Sequence, residues 1–289
     1  MINSTKNKAI RVQPSALNPG DAIPLFFDSP HSGSTYPVDY GFVLPLIHLR
    51  QAEDTYIEDL YEQAPNFGAT LIDAQFPRSY IDVNRNELDF ASTDLADDWP
   101  GKLDPGPKAE VGTGLAWVRL FGSTDIYESK ITTAQLQHRI DTYWKPYHDA
   151  ISKTYEYLHN TFGCVYHVNC HSMPSVGNPK SVDGPIDRPD FILGDRDGST
   201  CEVSFTQTVK QYLEQKGYTV AINYPFKGVE LVRRYSDPKN YRHSLQIEIN
   251  RRLYMNEVTF EKTRSYNDLK TSITGLITIL ANYVKTKIK

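Results

Sequence analysis

Cysteine is scarce: the 289-residue chain has three, Cys164, Cys170 and Cys201. The count is odd and no C-x-x-C pair occurs, which excludes a disulfide scaffold and fits structural thiols in a reduced, intracellular setting. Excess positive charge is missing too. With a net charge of -4 and a pI near 6.1, and no long basic run, the chain carries no electrostatic footprint for DNA or RNA. A small-molecule or protein partner is expected instead. No apolar run approaches the length of a bilayer span. The opening "MINSTKNKAIRVQPSAL" has no apolar h-region, so a secretory signal is not expected and a soluble, cytoplasmic protein is. Neither a G-x-G-x-x-G nor a phosphate-loop signature occurs, and there is no internal repeat or low-complexity tract.

What the chain has is 39% hydrophobic residues, enough for one large α/β domain or two modest ones. Residues 1–20 are polar and punctuated by Pro14, Pro19 and Gly20, which predicts a loose arm ahead of a single domain over 21–289. Four β-rich runs follow, "IPLFFDSP", "ATLIDAQ", "CVYHVNCHS" and "SLQIEIN", with "YTVAINYPF" a fifth. Between them, Ile57, Leu60, Tyr61 and Ala64 mark a helix near 48–65. A longer helical pattern over 130–162 contains Pro146 and should kink or break there. "TCEVSFTQTVKQYLEQKG" and "LKTSITGLITILANYVKTK" read as two more helices, the first ended by Gly217. Strands alternating with helices predict a mixed, mostly parallel α/β sheet covered on both faces. Residues 86–125 and 172–200 are rich in Asp, Gly and Pro and should be irregular. Connections that long are usually functional, and open α/β sheets bind ligands beyond the carboxyl ends of their strands.

Chemistry gathers at those strand ends. His31 stands where the first strand gives out, and His171 where "CVYHVNCHS" does. Two imidazoles at the carboxyl ends of parallel strands would face one crevice, and neutral imidazole is a common zinc ligand. Either histidine alone is equally explained as a polar strand end. Asp54 precedes Ile57 by three residues and Tyr61 by seven, and so shares the buried stripe of the 48–65 helix. A carboxylate there must be paired or bound to a cation. Glu53 is its competitor, and a hydrogen-bonded helix start is the alternative for Asp54. In "SLQIEINRR", Glu248 faces away from Ile247 and Ile249. An apolar setting raises a carboxyl pKa toward the range of a general base; the alternative is an ion pair with Arg251 or Arg252. "PRSYIDVNR" supplies Arg78, Asn84 and Arg85, a set suited to gripping a carboxylate.

Taken as an ordered set, "DSPHSGSTYP", "PRSYIDVNR", "NCHSMPS", "YPFKG" and "QIEINRRLYM" resemble the N-formylglutamate amidohydrolase family over roughly residues 22–260. That family is similar to the zinc carboxypeptidases and aspartoacylase. The resemblance implies a zinc-carboxypeptidase-like fold and one Zn2+ per chain, or another divalent transition metal, held by His31, His171 and Asp54. Those relatives take a carboxylate from H-x-x-E, but Ser34 occupies that place here, so the carboxylate must come from elsewhere. The resemblance further implies Glu248 as general base and Arg78 as the group polarising the scissile carbonyl. Asn84 and Arg85 would hold an α-carboxylate, with Arg233 or Arg234 reaching a second one. The implied substrate is a small acidic N-acyl amino acid, N-formyl-L-glutamate, giving formate and L-glutamate in one route of histidine degradation. The rivals are a deacylase for another N-acyl amino acid, a carboxypeptidase-like peptidase, and a binding protein of the same fold. Oligomeric state is open between monomer and small homo-oligomer.

Overall fold

The strand and helix patterns come together, in a computed structural model that describes residues 9–17, 20–179 and 181–288, as one sheet with helices on both faces. Its strands are β1 (Ile10–Gln13), β2 (Leu25–Ser29), β3 (Thr70–Ala74), β6 (Val165–Met173), β7 (Phe191–Gly194), β8 (Val220–Ile222) and β9 (Arg242–Asn250), while β4 (Arg119–Leu120) and β5 (Thr124–Asp125) pair as a separate small hairpin. The order is β1-β3-β2-β6-β9-β7-β8. β3, β2, β6 and β9 run parallel, β1 is antiparallel to β3, and β7 is antiparallel to β9 and parallel to β8. The expected mixed, mostly parallel sheet is what forms.

Two strands of the main sheet lie where the sequence predicts none, as does the β4–β5 hairpin inside residues 86–125. In the expected arm, residues 1–8, 18 and 19 fall outside the described residues, but Ile10–Gln13 is an edge strand. Ile10 and Val12 turn inward while Arg11 reaches Asp73 at 2.9 Å, the alternation of a half-buried edge. Pro14 marks the end of that strand, not a loose segment. In the tract expected to be irregular, the four residues Phe191–Gly194 lie between β9 and β8. So short an apolar run carries little periodicity of its own.

The helices are α1 (Leu46–Leu49), α2 (Ile57–Leu60), α3 (Pro107–Glu110), α4 (Thr133–Arg139), α5 (Lys145–Phe162), α6 (Val203–Gln215), α7 (Glu230–Tyr235) and α8 (Tyr266–Lys285). Phe26 and Phe27 point to opposite faces of β2 and so belong to different cores. Phe27 packs with Leu71, Val168 and Ile247 under α2, α6 and α8. Phe26 packs with Ile72, Tyr147, Ile151 and Tyr155 under α5. Pro146 neither kinks nor breaks its helix in the predicted way. A π-helical turn, Ile140–Trp144, widens the coil just ahead of it. Pro146 then falls in the first turn of α5, where the missing N–H costs little. The predicted 48–65 helix is not continuous. It breaks at Glu53–Tyr56, where Tyr56 takes a left-handed φ of 69°, because the Asp54 N–H donates to the His31 carbonyl at 2.9 Å. Among the described residues no helix is long and apolar enough to cross a membrane, and all three cysteines are buried.

Candidate active site

The carboxyl ends of β2, β6 and β9 adjoin at the middle of the sheet. His31 follows β2, His171 lies near the end of β6, and Glu248 pairs in register with His171 from β9. Parallel neighbours in register send their side chains to the same face, so the predicted base stands beside the predicted ligand. The chain then turns away from His31 through Gly33. A Cβ there would sit 2.3 Å from the Gln75 carbonyl carbon and 2.4 Å from the Phe76 oxygen. Only glycine permits so close an approach to the exit of β3.

His31, Asp54 and His171 are buried, and one ligand atom from each lies within 4.8 Å of the others. His31 Nδ1 is 3.4 Å from Asp54 Oδ2, and His171 Nδ1 is 3.1 Å from the same oxygen. The far side of each ring is already engaged: His31 Nε2 lies 2.7 Å from Asp82 Oδ1, and His171 Nε2 lies 2.7 Å from Asn169 Oδ1. Both acceptors call for a proton on Nε2, which leaves both Nδ1 lone pairs aimed at a carboxylate oxygen. Consistent with that, His31 Nδ1 has no hydrogen-bond partner. Three electron-rich atoms converging in a dry site demand a cation. The residues therefore fit a divalent metal of the zinc type.

Asp54, not Glu53, is the carboxylate in this trio. Glu53 is buried elsewhere, accepting from the Tyr36 hydroxyl at 2.7 Å and from Arg50 and Thr55 at 3.3 Å. Arg251 and Ser172 hold Asp54 Oδ1 at 3.2 and 3.0 Å, which turns Oδ2 toward the histidines. Burial pushes the Asp54 carboxyl up, but positive charge placed at His171 and His31 outweighs it and holds the carboxyl well below the usual range, a place a bound cation would take where both Nδ1 atoms are bare. Burial likewise lowers the His171 pKa, which favours the neutral ring a metal needs.

Glu248 is pushed well above the ordinary carboxyl range, first by burial and then by the charge of Asp54, with Arg78, Arg251 and Arg188 pulling against both. Its Oε1 accepts from Gln246 at 2.9 Å. The rival partners are occupied elsewhere: Arg251 grips Asp54, and Arg252 pairs with Asp190 at 2.9 Å. Arg78 donates to Asp82 Oδ2 at 2.8 Å and lies over the Trp117 ring. Asn84 Nδ2 is 3.2 Å from His171 Nε2. Arg85 Nη1 donates to the Asn84 carbonyl at 3.0 Å, while its buried Nε finds no hydrogen-bond partner among the described residues. Arg233 and Arg234, expected to offer a cation to a second substrate carboxylate, both pair with Glu230, at 2.6 and 2.7 Å.

Several residues that complete this site do not stand out in the sequence. Asp82 anchors His31 and Arg78 together, although it lies inside the "PRSYIDVNR" motif. Asn169 and Asp28 stand behind His171, and Arg251 reads from the sequence only as a partner for Glu248. The signal that could have found them is a period of two: His167, Asn169 and His171 alternate with Val168 and Cys170, as Ser244, Gln246 and Glu248 alternate with Leu245 and Ile247. A strand buried on both faces that is polar on one marks that face as a built site.

A family model described as N-formylglutamate amidohydrolase matches residues 23–255. N-formylglutamate deformylase from Pseudomonas putida is 28% identical over 240 residues, covering 81% of this chain and 83% of the relative. Its namesake from Pseudomonas aeruginosa is 30% identical with the same coverage. A crystal structure of N-formylglutamate amidohydrolase from Ralstonia eutropha JMP134 superposes with a TM-score of 0.91 at 41% identity, over 97% of this chain and 100% of that one. By these matches the chain belongs to the N-formylglutamate amidohydrolase family.

Proposed function

We propose that the protein hydrolyses the amide bond of an N-acyl amino acid, N-formyl-L-glutamate, to formate and L-glutamate. The observation that carries this is the convergence of two bare Nδ1 atoms and one carboxylate oxygen beside Glu248, in a chain whose relatives are named for that reaction. His31, Asp54 and His171 would hold Zn2+. When bound, it would polarise the amide carbonyl and acidify a water molecule.

The chain's own residues do the rest. Glu248 accepts a proton as the water oxygen attacks the formyl carbon, then delivers it to the nitrogen as the C–N bond breaks. Arg78 faces the same cluster and offsets the negative charge that develops on the carbonyl oxygen. Asn84 Nδ2 and Arg85 bind the α-carboxylate. Arg85 suits this role because burial, which outweighs the nearby Asp82 carboxylate, lowers its pKa, so that an incoming anion would stabilise its charge. Asp82 holds His31 and Arg78 in mutual register through its two oxygens.

Two measurements test this. Turnover of N-formyl, N-acetyl and N-succinyl derivatives of Glu and Asp should favour N-formyl-L-glutamate by orders of magnitude; equal or better rates on a larger acyl group would reassign the substrate. Metal analysis should find about one zinc per chain, lost in His171→Ala. Undiminished turnover after exhaustive chelation would refute the metal assignment.

A further inference from the structure

Behind the metal ligands runs a polar row whose atoms take no part in the reaction. Asn169 lies two residues before His171 on the same face of β6, and Asp28 pairs with it in register from β2. Asn169 Nδ2 donates to Asp28 Oδ1 at 2.7 Å. Asp28 also lies 2.7 Å from His167 Nε2 and accepts from the Tyr147 hydroxyl at 2.7 Å. Asp28, Asn169, His167 and Tyr147 are all completely buried. Burial pushes the Asp28 carboxyl up, but His167, Asn169 and Tyr147 outweigh it and keep it below its ordinary range.

A side-chain amide can face either way round, presenting oxygen or nitrogen to a given neighbour. For Asn169 that choice is made by Asp28, because an ionised carboxylate only accepts. Nδ2 must face Asp28, and Oδ1 is left 2.7 Å from His171 Nε2. An oxygen at that distance requires a proton on Nε2, and a neutral ring protonated there has a bare Nδ1 facing Asp54 and His31. A rival pattern exists. Asn84 Nδ2 also faces His171 Nε2, at the longer distance of 3.2 Å, held so because Asn84 Oδ1 accepts from the Leu231 N–H at 3.0 Å. Donation from Asn84 would need a bare Nε2 and would move the ring proton to Nδ1, into the ligand cluster.

We propose that Asn169, oriented by Asp28, is a positioning residue that fixes His171 in the tautomer protonated on Nε2, a role that rests on His171 being a metal ligand. One amide orientation thereby serves two ends. It keeps the Nδ1 lone pair available to the cation, and it leaves the Asn84 amide N–H without a partner on the ring, available to a substrate carboxylate.

The direct test is the 15N imidazole spectrum of the full chain, stripped of metal, at pH 8. His171 should show a protonated Nε2 and a bare Nδ1; the opposite tautomer would overturn the proposal whether or not the protein binds zinc. Two variants extend it, read by chelator competition for zinc. Asn169→Leu should weaken zinc binding about 10- to 100-fold and raise KM as Asn84 turns to His171. The double exchange Asn169→Asp with Asp28→Asn rebuilds the pattern. The carboxylate now on β6 would accept from His171, while the amide now on β2 donates to that carboxylate and to His167. The other ring nitrogen of His167 then donates to the Ser244 hydroxyl, which lies 2.8 Å from it. Zinc affinity in the exchange should return to within about threefold of the parent. An Asn169→Leu protein that keeps parental affinity, or an exchange no tighter than that variant, would refute the role. Failure of the parent chain to bind zinc at all would instead remove the metal assignment.

Discussion

Arg251 offers the sharpest test of how the site is held together. Its side chain is buried, with the residue 6% exposed, and donates four hydrogen bonds. They run to Ser172 Oγ at 3.0 Å, the Gln51 carbonyl at 3.0 Å, the Glu53 carbonyl at 2.6 Å and Asp54 Oδ1 at 3.2 Å. Arg251→Met keeps most of the stem volume and removes every donor. Gln51 is exposed, so water can recover its carbonyl; Glu53 and Asp54 are each 1% exposed and have no such recourse. Removing one partner of a buried ion pair costs about 3–5 kcal/mol. In a domain of this size that lowers the thermal midpoint by on the order of 6–10 °C. The loss should be larger in metal-free protein than the same substitution causes at Arg252, which is 42% exposed at its side chain. Zinc affinity should fall as well, because Ser172 alone is then left to turn Asp54 Oδ2 toward the histidines. The assay is calorimetry with and without chelator, paired with zinc competition. A drop under about 2 °C with unchanged zinc affinity would show that Asp54 is oriented without Arg251, by Ser172 and the histidines.

Three further outcomes follow from geometry already described. Glu248→Gln should retain zinc but lose about 10²- to 10⁴-fold in kcat; full turnover would remove Glu248 as the base. Gly33→Ala forces a methyl into the Gln75–Phe76 backbone and should cost about 1–3 kcal/mol and loosen zinc, whereas a neutral effect in both readouts would mean the turn after His31 yields freely. Glu58, on α2, has a buried Oε2 without a hydrogen-bond partner among the described residues, and burial pushes its carboxyl up to about 7 from an ordinary 4.5. The unfolded chain sheds this proton near 4.5 and the folded one only near 7, so this group's stability contribution is lost as pH rises through that window and stays lost above it. Glu58→Gln should therefore raise stability at pH 8 by up to about 3 kcal/mol with no gain at pH 4, and a pH-independent difference would contradict the assignment.

Most of the sheet is legible in the sequence because β2, β3, β6 and β9 are dense apolar runs bounded by breakers. His31, His171 and Glu248 are legible because each interrupts such a run or closes it near its carboxyl end. Asp54 emerges from the right residue on the wrong premise: it is buried, but at a helix break where its N–H meets the His31 carbonyl, not on a helical stripe. β1 and β7 escape because four residues hold too little periodicity to stand out from polar surroundings. Asp82, Asn169 and Arg251 escape for another reason. Their roles are defined by partners 51, 2 and 197 residues away, and only the folded chain shows which atom of each faces which neighbour. Arg233 and Arg234 read as anion binders from their charge, and only the folded chain shows that Glu230, one turn earlier, pairs with both.

β9 is the last strand in the chain, yet it lies inside the sheet, between β6 and β7. Among the described residues, β7 and β8 join the rest of the sheet only across it. Synthesis therefore delivers the three candidate metal ligands, with Asp82 and Asn169, well before the strand that joins the sheet. The same strand brings Glu248, and Arg251 follows immediately after it. A nascent chain that has emerged only as far as β8 has His31, Asp54 and His171 but neither Glu248 nor a joined sheet until β9 inserts. The strand that joins the two parts of the sheet is therefore also the one that carries Glu248, so the order of the chain couples closure of the sheet to completion of the candidate site.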